Sequence, residues 1–272
     1  MNIAIENEHR INGNRKDREQ LATAFLIVAE LFLLSTIVGS FIEKPLSEAA
    51  GDILLCLFIG GLLTAPWIFE RWWKVYLPQR LKCLFMMLIL GGPILGKIYR
   101  LYYKLSFWDK LLHMTSGFLF ATIGGILPSV IEKGKEHSLG LQLACAVMFT
   151  LSIAVIWEFY EYSMDKFFGM DMQQDTVVKD INSYLLGSLN GADKGVISSI
   201  SGINSVVIDG VPLEINGYLD IGLNDTMGDM LVCSVGGLLY CAFAILERRG
   251  VAMFRSFKNL LPVYTGSEYV NE

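Results

Sequence analysis

The stretch LATAFLIVAELFLLSTIVGSFI, residues 21–42, decides the fold of this chain, and Glu30 is its one ionisable residue. A helix needs roughly 20 mainly apolar residues to cross the hydrocarbon core of a bilayer. The run is too long for the apolar region of a signal peptide. We therefore predict a first membrane span that is retained in the mature protein.

Five further apolar runs follow, and they predict spans at about 53–69, 81–98, 111–127, 139–160 and 227–246. Tryptophan and tyrosine residues lie at several flanks, as is typical of bilayer interfaces. The composition agrees, because 53% hydrophobic and 18% charged residues, with a mean hydropathy of +0.46, exclude an ordinary water-soluble domain. The sequence therefore predicts an all-α, polytopic transmembrane helical bundle with about six spans.

The Lys and Arg residues in alternate connections predict the orientation of these spans. With the N-terminus inside, about fourteen fall on the cytoplasmic side and about eight on the other, which places both termini in the cytoplasm. The predicted organisation is a cytoplasmic N-terminal tail at 1–20, five transmembrane helices within 21–160, an extracytoplasmic loop at 161–223, a sixth helix at 224–246 and a cytoplasmic C-terminal tail at 247–272.

The extracytoplasmic loop is long, whereas the other connections are short. Asp209 and Gly210 lie between two apolar segments at 205–208 and 211–215, a pattern that predicts a β-hairpin. The apolar stretch 181–189 predicts a short helix at the membrane interface. The loop is therefore predicted to be mixed in structure.

Some partners and sites are not expected from this composition. The net charge is −5 and no run of Lys or Arg has interleaved aromatic residues, so nucleic acid is not an expected partner. The five cysteines lie in apolar runs without C-x-x-C spacing, which argues against a cysteine zinc site or a disulfide framework. Membrane lipids are the expected partners, and the sequence indicates no particular protein partner.

The start of the fourth predicted span carries ionisable residues, which are costly within a bilayer and are therefore candidates for function. Asp109, His113 and Ser116 are spaced i, i+4 and i+7, so they share one helix face. The small residues Gly117 and Gly124 follow. They allow a second helix to approach closely.

Acidic residues occur in a similar way at the end of the fifth span and the start of the sixth. Glu158, Glu161 and Asp165 are spaced i, i+3 and i+7 on one face. Asp225 and Asp229 are spaced i and i+4. The polar residues of the fourth, fifth and sixth spans all lie on the outer side in the predicted topology. We therefore expect these three sets of residues to meet.

A neutral histidine nitrogen and several carboxylate oxygens from separate helices suit a divalent cation. The sequence therefore predicts a divalent-metal site for zinc, manganese or magnesium, with ligands at Asp109, His113, Glu158, Glu161, Asp225 and Asp229. Glu158 and His113 are the predicted catalytic residues, with Glu158 as a general base. His113 with Asp109 is also suited to act as an acid–base pair.

Four of these residues also have a structural interpretation. Asp225 is suited to cap the N-terminus of the sixth span. Asp109 is suited to pair with Lys110 as an interfacial charge, and His113 to pack with its hydrogen bonds satisfied. Glu161 lies close enough to the outer headgroups to be solvated.

Four motifs occur in a fixed order along the chain. They are WDKLLHMTSG at 108–117, WEFYE at 157–161 with Asp165 downstream, the pair Met172-Gln173, and DTMGDM at 225–230 with Gly236-Gly237 after it. Together they resemble an uncharacterised family of bacterial membrane-spanning proteins, the YjdF-like group, and they are distantly similar to VanZ-like proteins. The resemblance covers about residues 21–246 and implies a bacterial cytoplasmic (inner) membrane protein.

The resemblance also points to particular residues. The positions that match the shared motifs are Asp109, His113, Glu158, Asp225 and Asp229. Cys233 stands where the VanZ-like ending has Asn, so a VanZ-like role in glycopeptide resistance does not transfer. The resemblance implies a fold and a topology and no particular reaction.

Three functions are compatible with these residues. The first is a metal-dependent, membrane-embedded hydrolase whose outward-facing site acts on a lipid headgroup or envelope precursor through a metal-bound water. The second is an ion or small-solute transporter with the acidic cluster at its outer mouth and Glu30 as a relay facing the bundle or a wet cavity. The third is a non-catalytic membrane interaction protein whose polar residues tie helices together.

Overall fold

The computed structural model describes residues 15–186 and 196–266, with side chains from Gln20 onward. Most of the predicted N-terminal tail, part of the predicted helix at 181–189 and the last residues of the predicted C-terminal tail lie outside the described residues.

Eight α-helices form the described part of the chain. They are α1 (Arg15–Glu43), α2 (Leu46–Leu63), α3 (Ala65–Trp73), α4 (Gln79–Leu90), α5 (Leu101–Lys104), α6 (Trp108–Ile131), α7 (Leu139–Phe168) and α8 (Leu223–Arg248). A π-helical segment, Gly91–Ile98, continues α4, and 3₁₀ turns cover Tyr184–Leu186 and Ala252–Leu260.

Six of the helical stretches are long and apolar enough to cross a membrane: Gln20–Glu43, Leu46–Trp73, Gln79–Ile98, Trp108–Ile131, Leu139–Phe168 and Leu223–Arg248. The prediction of a polytopic helical bundle with about six spans is confirmed. Helix α7 continues past residue 160 to Phe168. Glu161 and Asp165 therefore belong to a helix and not to the connection that follows it.

Helices α1, α2 and α4 pack together through buried apolar side chains, among them Ala29, Leu33, Cys56, Ile59 and Met86. Lipid tails are as apolar as these side chains, so van der Waals contact between the helices, and not exclusion from water, stabilises this packing.

Helices α6, α7 and α8 approach each other closely at glycines. A Cβ atom on Gly117 of α6 would lie 1.9 Å from the carbonyl oxygen of Cys233, and one on Gly236 of α8 would lie 2.1 Å from that of Met114. The Thr150 hydroxyl of α7 donates a hydrogen bond to the Gly117 carbonyl (3.3 Å). The prediction that small residues let helices meet here is confirmed, because any side chain at these two positions would collide with backbone.

The first turn of α6 is fixed on the π-helical segment. The Trp108 indole N–H donates to the carbonyl of Gly91 (3.0 Å). A Cβ on Gly91 would lie 2.7 Å from Leu112 Cδ2, so the two segments are in direct contact. Pro93 lacks an N–H, which is consistent with a departure from regular α-helical hydrogen bonding after Leu90.

Glu30 does not point into the bundle. Ala29 and Leu33, 3% and 2% exposed, take the buried side of α1. Glu30 is exposed, and a Cβ on Gly60 of α2 would lie 3.1 Å from its Oε2 atom. Glu30 therefore lies outside the buried side of α1 and beside α2, because successive helical residues differ by about 100° in direction. Its role as a relay stays a prediction.

A buried ion pair joins α3 and α4. Lys82 Nζ lies 2.6 Å from Glu70 Oε2, and the two side chains are 2% and 6% exposed. The other oxygen of Glu70 accepts the backbone N–H of Leu77 (2.6 Å), and Lys82 lies over the Trp67 ring at 4.8 Å. Lys82 is thus an internal charge, although the sequence pattern counts it with the cytoplasmic loop.

Short antiparallel strand pairs complete the structure. Strand β1 (Val75–Tyr76) pairs with β8 (Val263–Tyr264), β2 (Val177–Val178) with β7 (Tyr218–Leu219), β3 (Ile181–Ser183) with β4 (Ser198–Ile200), and β5 (Val207–Ile208) with β6 (Val211–Pro212). The β5–β6 pair confirms the predicted hairpin. Asp209 (φ 50°) and Gly210 (φ 82°) form its turn, as a type I′ hairpin turn requires.

The interfacial helix predicted at 181–189 is wrong for its first three residues. Ile181–Ser183 forms β3, and its register with β4 aligns Ile181 with Ile200. Local apolar composition fits a short strand as well as a helix, and pairing with a distant segment decided the outcome.

Candidate metal centre

Helix α6 presents Asp109 and His113 on one face of its first two turns. His113 Nε2 lies 3.7 Å from Asp109 Oδ1, and their side chains are 12% and 17% exposed, respectively. Lys110 Nζ lies 3.4 Å from the other oxygen of Asp109, so the structural interpretation of Asp109 as a partner of Lys110 also has support. Ser116 donates its hydroxyl proton to the His113 carbonyl (2.8 Å).

Helix α8 runs parallel to α6 and presents Asp229 at the level of His113. Gly117 meets Cys233, and farther along both helices Gly125 meets Tyr240. One helical turn before the first contact lie His113 on α6 and Asp229 on α8. The ligand atoms of Asp109, His113 and Asp229 all lie within 4.8 Å of one another, and Asp229 is 1% exposed. We call these residues the Asp-His-Asp group.

The other predicted ligands are not part of this group among the residues that the structure describes. Glu158 and Glu161 of α7 are both buried, at 5% and 6% exposure. The Trp157 indole N–H donates to Glu161 (2.8 Å). The expectation that Glu161 is solvated is therefore wrong, because this helix face is covered.

Asp165, near the end of α7, organises the chain that follows. Its two oxygens accept the backbone N–H groups of Met172 (2.6 Å) and Gln173 (2.8 Å). The Gln173 side chain donates to the Thr226 hydroxyl (2.6 Å) at the start of α8. Asp165 thus has a structural role here.

Asp225 has a different role from the predicted helix cap. Its carboxylate accepts the backbone N–H of Gln174 (3.0 Å). Asp220 instead accepts the N–H groups of Gly222 (3.3 Å) and Asn224 (2.8 Å) at the start of α8. Sequence reasoning missed Asp220, although an Asp shortly before an apolar helix is a known capping signal.

Asp171 lies close to other carboxylates in the connection after α7. Burial raises the pKa of Asp171, and the negative charges of Asp175, Asp165 and Asp225 raise it further. A raised carboxyl pKa means that ionising Asp171 costs stability at neutral pH. Protonation of Asp171 at lower pH, or a nearby cation, would therefore stabilise this part of the connection.

We expect the ladder between β2 and β7 to weaken in acid because of Asp220. Burial acts to raise the pKa of Asp220, but hydrogen bonds from Thr176, Asn224 and Gly222 outweigh it and lower the pKa. The stability from these bonds is present above the unfolded-state pKa, about 3.9, and is lost as the pH falls through the folded-state value.

Hydrogen exchange of residues 176–178 and 218–220, corrected for intrinsic rates, tests this expectation. Protection in the wild type should fall below about pH 4, and the Asp220→Asn variant should lack that acid transition. Asp209→Asn, in the hairpin turn, serves as the control and should keep it. An unchanged transition in Asp220→Asn would assign the acid sensitivity to another group.

Comparison with known proteins agrees with the helical architecture. A family model described as "Predicted membrane protein (DUF2238)" matches residues 24–249, from α1 to the end of α8. The chain belongs to the DUF2238 family. The resemblance to an uncharacterised membrane protein family is thereby confirmed, and a membrane protein of this family is in contact with lipid.

One relative extends the comparison. A Thermotoga maritima protein named "Uncharacterized protein" is 25% identical over 153 residues, which cover 56% of this chain and 74% of the relative. No solved structure matches this DUF2238 chain.

Proposed function

We propose that the Asp-His-Asp group binds a divalent cation and forms the metal centre of a membrane-embedded hydrolase that acts on lipid or envelope substrates. The observation that carries this proposal is the convergence of one imidazole and two carboxylates, with ligand atoms within 4.8 Å of one another. Zinc, manganese and magnesium all accept such ligands, with manganese and magnesium favouring the carboxylates.

The spacing of the group supports a bound ion. Ligand atoms at about 2.1 Å from one tetrahedral metal ion lie about 3.4 Å apart. His113 Nε2 and Asp109 Oδ1, at 3.7 Å, are already close to that separation, and side-chain rotations of about an ångström would bring Asp229 into coordination with them. Asp229 is held on α8, whose contact with α6 at Gly117 is set by backbone atoms.

The number of ligands supports a catalytic rather than a structural ion. Structural zinc sites close four positions with protein ligands, whereas catalytic sites use three and leave one for water or substrate. The metal would lower the pKa of that water, so that a hydroxide nucleophile is available at neutral pH. Glu158, buried on α7, is the proposed general base and His113 the proposed ligand that tunes the ion.

We also propose that this chemistry faces the outside of the bacterial inner membrane. The support is the excess of Lys and Arg in the connections on the side of the N-terminus, which favours cytoplasmic termini. The group lies at the starts of α6 and α8, which are outer ends in that topology. A lipid headgroup would reach it without crossing the bilayer.

The two alternatives differ in their support. The ion pair of Lys110 with Asp109 (3.4 Å) favours a non-catalytic cluster, since an ammonium group offsets part of the negative charge without a metal. The transporter uses Glu30 as a relay, and Glu30 is exposed beside Gly60 of α2, outside the Asp-His-Asp group. The metal-dependent hydrolase gives a role, as metal ligands, to all three members of the Asp-His-Asp group.

Elemental analysis after purification without chelators tests the metal centre. The wild type should carry close to one divalent ion per chain, and His113→Ala should lose most of it because one of three ligands is gone. His137→Ala is the matched control, since His137 lies in the α6–α7 connection outside the group. It should retain the ion.

Two results would overturn the proposal. The first is less than about one tenth of an ion per wild-type chain, which is below what a resident site retains. The second is equal metal content in His113→Ala and the wild type, which would exclude His113 as a ligand. Retention of size-exclusion behaviour by both variants would show that the comparison concerns folded protein.

A further inference from the structure

A cavity of about 820 Å³, open over much of its surface, lies at the end of α6 opposite the Asp-His-Asp group. Its lining includes Trp72, Lys74, Leu127, Ile131, Lys133 and Tyr264. Its volume is within the range of ligand sites, which is about 300–1,000 Å³. About 27 Å of helix separates His113 from Ile131, so the cavity is distinct from the candidate metal centre.

Three chain segments build the wall of this cavity. The end of α3 and strand β1 are joined to β8, with Val75 opposite Tyr264 in the ladder. The Thr265 N–H and hydroxyl both donate to the carbonyl of Lys74 (2.8 and 2.9 Å). These bonds fix the backbone of Lys74 next to Tyr264.

The end of α6 brings the second lysine to the cavity. Lys133 (φ 52°) and Gly134 (φ 91°) are both left-handed, and Gly134 N–H donates to the Ser129 carbonyl (2.7 Å), a bond that closes the helix end. A Cβ on Gly134 would lie 3.0 Å from the Tyr264 ring. The turn that carries Lys133 therefore lies against the same tyrosine at Gly134.

The lining combines two chemistries. Lys74 and Lys133 are cationic, and within 15–186 and 196–266 neither forms an ion pair with a carboxylate. Leu127, Val130 and Ile131 are apolar and belong to the last turns of a membrane span. Trp72 is 78% exposed, as suits an indole at headgroup level.

We propose that this cavity binds the phosphate group of an anionic lipid, with the phosphate at Lys74 and Lys133 and an acyl chain along the apolar end of α6. Basic pockets between helices on the cytoplasmic side are suited to lipid phosphates. The side chains of Trp72 and Tyr264 also line the cavity. Indole and phenol groups favour the headgroup level of a bilayer. A free phosphate would use the lysines and leave the apolar wall uncovered.

Native mass spectrometry of the full chain in neutral detergent tests the proposal with phosphatidylglycerol, phosphatidylcholine and inorganic phosphate as probes. Each lysine near an anionic lipid contributes roughly a factor of five, so Lys74→Gln/Lys133→Gln should weaken phosphatidylglycerol binding about thirty-fold. Phosphatidylcholine should bind weakly to both proteins. Lys74→Arg/Lys133→Arg should restore binding, because arginine also pairs with phosphate.

The matched control is Arg71→Gln/Arg249→Gln, which removes two exposed charges at the same end of the bundle but outside the lining. It should bind phosphatidylglycerol like the wild type. Equal loss in both double variants would overturn the proposal, as would equal affinity for the two lipids. Displacement of the lipid by excess inorganic phosphate would assign the site to a free anion instead. Unchanged melting of each variant in the same neutral detergent without added lipid establishes that it is folded.

Discussion

Replacing Lys82 with Met is expected to lower the free energy of unfolding by about 3–5 kcal/mol, the typical cost of breaking a buried ion pair. The Lys82 ammonium lies 2.6 Å from Glu70, and both side chains are almost fully buried. The substitution leaves the Glu70 carboxylate in a low-dielectric site without that positive charge. Detergent-denaturation curves followed by tryptophan fluorescence measure the change.

The Lys135→Met variant provides the matched control for this prediction. Lys135 pairs with Glu132 at 3.0 Å, but the two side chains are 72% and 46% exposed. Exposed pairs contribute no more than about 1 kcal/mol. The double variant Glu70→Gln/Lys82→Met should be more stable than Lys82→Met, because it removes both charges. Equal effects of Lys82→Met and Lys135→Met would contradict this account of the buried pair.

Replacing Gly117 with Ala is expected to destabilise the protein by about 3 kcal/mol, at the upper end of the usual overpacking cost. The added methyl group would lie 1.9 Å from the Cys233 carbonyl oxygen. A backbone atom cannot rotate away as a side chain does, so α6 and α8 must separate. Asp229 lies one turn from this contact, and metal affinity should fall together with stability.

Gly39→Ala is the control for the glycine prediction, because a Cβ at Gly39 of α1 would meet nothing within 4 Å. This change should be neutral or stabilise by about 0.4–1 kcal/mol. Unfolding curves and metal content are measured on both variants. A Gly117→Ala protein with wild-type stability and full metal content would show that the helix contact does not set the position of Asp229.

The helices could be predicted from the sequence because the spans depend on a local property. Runs of about 20 apolar residues have few alternatives once they enter a bilayer. The hairpin at 207–212 was predictable for a similar reason, since Asp209 and Gly210 accept positive φ angles at low cost. The strand at Ile181–Ser183 was not, because its partner Ser198–Ile200 is distant in sequence.

The direction of single polar residues was harder to predict. Glu30 and Lys82 are both isolated charges in or beside apolar runs, yet Glu30 is exposed and Lys82 is buried against Glu70. Helical spacing gives the angle between residues on one helix. It does not give the side of the helix that faces its neighbours.

The candidate centre was predictable only in part, because helical spacing relates residues on one helix and not residues on different helices. The i, i+4 spacing put Asp109 with His113, and the glycines indicated where α8 could approach α6. Which acidic residues join His113 depends on the register between helices, which the sequence does not contain. Asp165 and Asp225 instead receive backbone N–H groups from the connection after α7.

X-ray absorption at the zinc edge of zinc-loaded protein tests the central claim most directly, because it reports the ligand atoms themselves. The Asp-His-Asp group predicts one imidazole nitrogen and carboxylate or water oxygens at about 2.0–2.2 Å, with no sulfur. Cys233 lies one helical turn from Asp229 and would supply the competing ligand. A sulfur shell at about 2.3 Å, or an oxygen shell without imidazole, would contradict the assignment.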